Sequence, residues 1–247
     1  MLSKLRLESS MLRAAIFLLF ALLYGCDSDI PSTEYYPLQS GVTWEYRVMT
    51  NLAGREDLRS YRVENRGEVA LSNEYSDEVV KIRHTSDGTD YYILQDDTGS
   101  YRIAERSIIE YEPRFEAERV RILPSREDIE VGRTWAIVTK PYALHRTSSS
   151  SLPDPSEQSL NMLFDIKSLN DEVTVPAGTF ENCLRVEGSA IVSLYTDPRI
   201  GYQDIEISQI EWYAPGVGLV KFIRDEPLDM PLFKGGKITF ELTSFDH

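Results

Sequence analysis

Apolar and polar residues alternate with period two along most of the chain after residue 41. Val42, Trp44, Tyr46 and Val48 interleave with Thr43, Glu45, Arg47 and Met49. Successive side chains of a strand point to opposite faces, so this is the signature of a half-buried strand. Similar runs fall at 60–68, 77–86, 89–97, 100–107, 119–123, 134–140, 161–169, 172–175, 183–196, 205–214, 218–226 and 237–245. Ser86-Asp87-Gly88 between two such runs marks a hairpin, because Asp-Gly supplies the backbone a tight turn needs. Thr98-Gly99 marks another. Helical periodicity is weak throughout. Its best candidate, 106–118, is interrupted by Pro113, so at most one or two short helices are expected. About a dozen short strands with frequent turn signals predict an antiparallel sandwich or a curved, barrel-like sheet.

Turn chemistry fixes two of the reversals. Val175-Pro176-Ala177-Gly178 has Pro at the second position and Gly at the fourth, as a type I turn prefers. Ala214-Pro215-Gly216-Val217 places Gly third, as a type II turn requires, and should fold 205–214 back on 218–226. Gly218 is expected where a ring or backbone approaches closely. The Ser- and Pro-rich stretch 145–159 reads as a polar loop. The stretch 226–236 carries Met230, Leu232 and Phe233 among prolines and glycines, either tucked under the sheet or offered to a partner. Tucking is the expectation.

The first 25 residues follow a different pattern. Lys4, Arg6 and Arg13 precede an unbroken apolar run, Ala14 to Tyr24. That run is too short to cross about 30 Å of hydrocarbon as a helix, but suits the core of a signal peptide. It ends in Leu22-Leu23-Tyr24-Gly25-Cys26. Leu23, Tyr24 and Gly25 before Cys26 resemble a lipobox, which implies a diacylglycerol thioether on Cys26 and cleavage before it. Met11 offers a second start, with Arg13 as the basic region. Residues 26–37 then read as a lipidated tether and 38–247 as one β domain.

Charge sharpens this expectation. The chain has 26 basic and 40 acidic residues, net −14. Removing residues 1–25 takes away Lys4, Arg6, Arg13 and Glu8, leaving 23 basic against 39 acidic residues and a net charge of −16. Such a surface repels nucleic acid and anionic headgroups alike. Attachment to a membrane must therefore be covalent, and more than one acyl chain gives stable anchoring. The expected location is the cell envelope, on the periplasmic side or the cell surface, with inner and outer membrane both open. Acylation also removes the only partner that Cys183 could have in a disulfide, so Cys183 is expected to be a buried structural thiol.

Candidate chemistry is sparse. The histidines are His84, His145 and His247, and no two have metal-ligand spacing. No serine lies in a nucleophile elbow. Asp96-Asp97 and the Asp225, Glu226, Asp229 group could offer oxygen ligands to calcium, but match no known loop spacing and read as solvated acidic faces. No catalytic constellation, cofactor or metal site is expected.

Three motifs, "YYPLQSGVTWEY" (35–46), "VPAGTFENCLRV" (175–186) and "WYAPGVGLVK" (212–221), resemble those of exported bacterial lipoproteins, including the TapB-like and DUF3108-like families. The resemblance implies an open β half-barrel related to the lipoprotein carriers LolA and LolB. A sheet curved around an apolar concavity could hold a lipid or other hydrophobic ligand. The expected function is a non-enzymatic, membrane-anchored binding module. The alternative is an envelope assembly or scaffolding lipoprotein that docks a protein partner. Aromatic residues on the strands are the candidate contacts, above all Trp135 and Trp212 with Tyr91, Tyr92, Tyr101 and Tyr213, and Phe233 for a partner.

Overall fold

The computed structural model describes residues 34–247 except Asn73, 148–153, Pro198, Ile200 and His247. The expected signal peptide, Leu23, Tyr24, Gly25 and the acceptor Cys26 lie outside the described residues.

The described chain is nearly all strand. In order they are β1 (Thr43–Leu52), β2 (Arg55–Val69), β3 (Val80–Thr85), β4 (Thr89–Asp96), β5 (Gly99–Ser107), β6 (Arg114–Pro124), β7 (Thr134–Thr139) and β8 (His145–Arg146). There follow β9 (Leu160–Val175), β10 (Gly178–Asp197), β11 (Gly201–Ala214), β12 (Gly218–Asp229) and β13 (Phe233–Asp246). All pairings are antiparallel, in the order β6-β5-β4-β3-β2-β1-β13-β12-β11-β10-β9-β7, with β8 added beside β13. Chain neighbours are therefore sheet neighbours almost everywhere. The first strand pairs with the last, and the two sheet edges, β6 and β7, follow one another in the chain. The result is a curved, nearly closed barrel-shaped sheet with one seam, between β6 and β7.

Of the stretch 106–118, allowed as a short helix or an irregular connection, residues 108–113 form an irregular turn between β5 and β6 and the rest is strand. β6 begins at Arg114, directly after Pro113, and pairs with β5. Proline has no N–H to offer a ladder, so it sits just outside the strand. The only helical turns among the described residues are two three-residue 3-10 segments, Arg126–Asp128 and Pro155–Glu157. The runs 161–169 and 172–175 join into one long strand, β9. Both predicted reversals hold: β9 turns into β10 between Val175 and Gly178, and the Val217 N–H donates to the Ala214 carbonyl at 3.1 Å between β11 and β12.

Two plugs pack at the ends of the barrel. At the start of β12, the Gly216 N–H donates to the Glu34 carbonyl at 2.8 Å. The Pro37 ring lies against Gly218, where a Cβ would stand 3.2 Å from Pro37 Cδ. Asn65 Nδ2 donates to the carbonyls of Pro37 and Gln39, both at 3.1 Å. Residues 34–37, expected as part of a tether, are thus packed. Tyr35 and Tyr36 bury against the inner core rather than extending into solvent. At the far end of β12, residues 140–147 cross the opening and are held by Glu226. β8, inside the expected polar loop, ties this strap to Phe233 and Lys234.

Inner-face positions of β9 to β11 form the main core: Met162, Phe164 and Ile166 face Leu184, Val186, Ile205 and Ile207. On the other side of the barrel the apolar set changes face. Val80, Ile82, Tyr92, Leu94, Tyr101 and Ile103 cluster on the outside of β3 to β5, under Tyr75 and Leu71 of the β2–β3 connection. Tyr75 in turn stacks on Phe115, 6.1 Å between ring centres. The inner face of β3 to β5 is consequently left to Arg83, Thr85, Tyr91, Ile93 and Arg102.

Candidate functional site

Between the two plugs lies a cavity of about 610 Å³. That falls within the range of pockets that hold small organic ligands. One wall is apolar: Ile93, Val120, Ile122 and Ile137 approach from either side of the seam, with Phe164 and Phe222 behind them. Phe240 anchors the opposite wall, meeting Tyr61 and Phe222 edge to face at 5.5 Å each. Such pairs add roughly 0.5–1.5 kcal/mol beyond area burial and fix ring orientation.

The rest of the lining is polar and organised. Trp44 Nε1 donates to the Val217 carbonyl at 2.6 Å, and the Tyr46 hydroxyl to the Leu219 carbonyl at 2.8 Å. These two bonds reach over β13 and lock β1 to the start of β12. Beside them, the Arg83 guanidinium lies 4.1 Å from the Tyr36 ring centre and 4.9 Å from that of Trp44. Arg83 Nε donates to Asn65 Oδ1 at 2.9 Å and Nη2 to the Pro37 carbonyl at 2.7 Å. Burial pushes the Tyr61 hydroxyl up to about 12 and raises Tyr36, Tyr46 and Tyr213 as well, so all four phenols stay neutral donors at physiological pH.

A chain of polar groups runs along β11 and β12 into the second plug. Tyr213 donates its hydroxyl to Glu211 Oε2 at 2.6 Å, and Gln209 Nε2 donates to Glu211 Oε1. Arg224 Nη1 then donates to Gln209 Oε1 at 2.7 Å, and its Nε to Glu226 Oε1 at 2.7 Å. Glu226 also accepts the backbone N–H groups of Tyr142, Ala143 and Leu144 at 2.7–3.0 Å. Arg224 completes its set with the Lys140 carbonyl and the Tyr142 ring, 4.1 Å away.

Burial pushes the Glu211 carboxyl up, against the lowering effect of the Tyr213 and Gln209 hydrogen bonds and the Arg224 charge. The folded protein therefore holds this proton more tightly than the unfolded chain does. The contribution is full below the ordinary carboxyl range near about pH 4.3 and is lost as pH rises through the folded value. Replacing Glu211 with Gln keeps the hydrogen-bonding shape and removes the titration. The variant should gain stability over the native chain at pH 8 and little at pH 4. Urea unfolding at both values checks this, and an equal shift at the two pH values would refute it.

The residues expected as contacts divide between the two faces. Tyr91 and Tyr213 line the cavity, whereas Tyr92 and Tyr101 face the outer cluster. Trp135 is buried and stacks on the cavity-lining Phe164, 5.5 Å between centres, as its support rather than as a contact. Trp212 points outward and donates Nε1 to Asp171 at 3.1 Å. Phe233 is buried under the strap at 2 % exposure, so the tucked arrangement holds. Cys183 is fully buried, with its thiol pushed up to about 11 by burial and by the Asp171 charge.

Other candidate groups are engaged elsewhere. His84 Nδ1 pairs with Asp90 at 2.6 Å on the outer face, where Arg106 also binds Asp90. Asp96 bonds Thr98 and Arg119, Glu226 is taken by Arg224, and Asp229 pairs with Lys234. Among the described residues no three His, Cys, Asp or Glu side chains gather as metal ligands.

No family model matches the chain, and no curated protein matches it in sequence. Solved structures do align with it. A protein assigned as a lipoprotein from Parabacteroides distasonis is 14% identical over 87% of this chain and 99% of its own, with a TM-score of 0.39. An exported protein with a YmcC-like fold from Bacteroides fragilis is 14% identical over 86% of this chain and 98% of its own, with a TM-score of 0.37. A domain assigned as an outer membrane lipoprotein-sorting protein, from Vibrio parahaemolyticus, is 7% identical over 84% of this chain and 85% of its own, with a TM-score of 0.29.

Proposed function

We propose that the protein is a lipid-anchored, non-enzymatic binding module of the cell envelope whose barrel interior holds a hydrophobic ligand. The observation that carries this reading is the half-open cavity of about 610 Å³, walled largely by aliphatic and aromatic side chains. A protein interior is ordinarily close-packed, so a void of this size costs contacts that a ligand would restore. The lipobox-like Leu23-Tyr24-Gly25-Cys26 supplies the anchor, and the resemblance to LolA- and LolB-related half-barrels through residues 35–46, 175–186 and 212–221 agrees with the reading.

Native mass spectrometry of protein extracted from membranes tests both parts. The native chain should carry acyl groups on Cys26 together with a copurified hydrophobic molecule. Cys26→Ser should move the protein to the soluble fraction or stall it as precursor. Continued lipid labelling of that variant would overturn the anchor, and an unliganded mass with no uptake of a fluorescent fatty-acid probe would overturn the cargo.

A second reading is favoured by one surface feature. The β5–β6 turn exposes Ile108, Ile109 and Tyr111 at 82%, 85% and 97%. Clustered apolar tips of this kind mark docking sites. As Phe233 is buried, a scaffolding role would use this turn rather than the 226–236 stretch. Photocrosslinking from Ile109 separates the cases: specific protein adducts favour docking, while their absence leaves the binding module alone.

A further inference from the structure

The cavity's charge is of the wrong sign for its protein. Acidic residues outnumber basic ones 40 to 26 along the chain, yet the cavity is lined by Arg59, Arg83, Arg102 and Arg121 against a single carboxyl, Glu211. Not all of these are available inside. Arg121 lies opposite Tyr101 in the β5–β6 ladder, shares its outer face and donates to its hydroxyl at 2.7 Å. Arg102 pairs with Glu116 at 2.7 Å. Arg59 lies opposite Val48 at an exposed stretch of β2, six residues along the strand from the Asn65 that holds Arg83.

Arg83 is half-buried where Arg59 is exposed, and its partners differ from those of Arg102 and Arg121. Its partners are the Asn65 amide oxygen, the Pro37 carbonyl and the rings of Tyr36 and Trp44, every one neutral. No carboxylate pairs with it among the described residues, whereas the fully buried guanidinium of Arg224 has Glu226 at 2.7 Å. Glu211 does not fill that role. Its two oxygens are taken by Tyr213 and Gln209. A half-buried, oriented cation is thus left facing the cavity, beside the rings of Tyr36 and Trp44. From there the lining turns apolar toward Ile93, Phe222 and Phe164.

We propose that the cavity selects a single-chain amphiphile with an acidic head, a carboxylate or a phosphate monoester, whose head seats on Arg83 and whose chain lies along the apolar wall. The proposal rests on the ligand-binding reading above and adds to it the chemistry of the head. A neutral lipid would gain only the apolar contacts. An acidic one would add charge-assisted hydrogen bonds in a site partly withdrawn from water, where such bonds are strongest.

The test uses the full chain and two probes of equal length, 11-(dansylamino)undecanoic acid and its methyl ester, titrated at pH 8. The acid should bind at least about tenfold tighter than the ester, the size expected for one charge-assisted contact. Arg83→Gln should bring the ratio to within about threefold by weakening the acid more than the ester, and Arg83→Lys should keep most of the preference. A residue that only stitched residues 36–37 to the sheet would weaken both probes together. Competition by laurate or by dodecyl phosphate then identifies the head. Equal binding of acid and ester by the native chain, or an unchanged ratio in Arg83→Gln, overturns the proposal and leaves the ligand-binding reading standing. Binding of neither probe overturns both. If Arg83→Gln loses the ester and with it the fold, the native ratio decides.

Discussion

Arg224→Met should lower the free energy of unfolding by about 3–5 kcal/mol, the cost of leaving a buried charge without its partner. The Arg224 and Glu226 side chains are 1% and 0% exposed and meet at 2.7 Å. Removing the guanidinium strands a carboxylate in a site that water does not reach. It also frees the Gln209 and Lys140 oxygens that Arg224 now satisfies. Domains of this kind are typically stable by only about 5–15 kcal/mol, so the loss would be a large share of the whole. The double variant Arg224→Met/Glu226→Gln should recover part of it. It leaves no buried charge, and the Gln amide oxygen still accepts from the N–H groups of 142–144. Urea unfolding of the three proteins gives the coupling directly. A single variant less than about 1 kcal/mol weaker than the native chain would show that the pair is not buried in solution.

That pair was present in the strand periodicity but hidden by composition. Residues 225–229 look like a solvated acidic run, and the sequence places them there. Yet Val220, Phe222, Arg224 and Glu226 share one parity, and the first two are plainly core. A strand cannot turn one side chain away without a bulge, so Arg224 and Glu226 had to follow Phe222 inward. Gln209 and Glu211 follow Ile205 and Ile207 in the same way on β11. Polar residues on the buried parity were the legible signal of the site.

Arg83 could not be found by that rule. On β3 the apolar parity is Val80 and Ile82, which would send Lys81 and Arg83 to solvent. The structure inverts this because the β2–β3 connection folds Tyr75 and Leu71 over the outer face. Which face of a strand becomes interior depends on what covers the other one, and period two carries no information on that. The strand pattern, the hairpins and the two proline turns were local and therefore legible. The seam between β6 and β7, the plugs at residues 34–41 and 140–147, and the cavity between them depend on contacts between residues far apart in the chain.

Filling the cavity should abolish ligand uptake while sparing the fold. Val63 and Ile137 line it from β2 and β7, on opposite sides of the barrel. Val63→Trp and Ile137→Trp each add an indole ring to space that holds no side chain in the native protein. Enlarging a residue in a packed core costs roughly 1–3 kcal/mol through strain, but here the added atoms meet a void and gain contacts. Each variant should unfold within about 1 kcal/mol of the native chain. Each should also bind the dansyl ester at least about tenfold more weakly, a loss of about 1.4 kcal/mol in binding. The double variant should show no copurified ligand in native mass spectrometry. Val63 lies opposite Trp44, a partner of Arg83, whereas Ile137 lies across the barrel on β7, so Ile137→Trp is the variant that separates loss of space from loss of charge. Acid and ester must weaken together, in contrast to Arg83→Gln, where the acid weakens more. Retention of the copurified mass by the double variant, with the fold intact, would place the ligand outside the barrel and move attention to the exposed turn at Ile108, Ile109 and Tyr111.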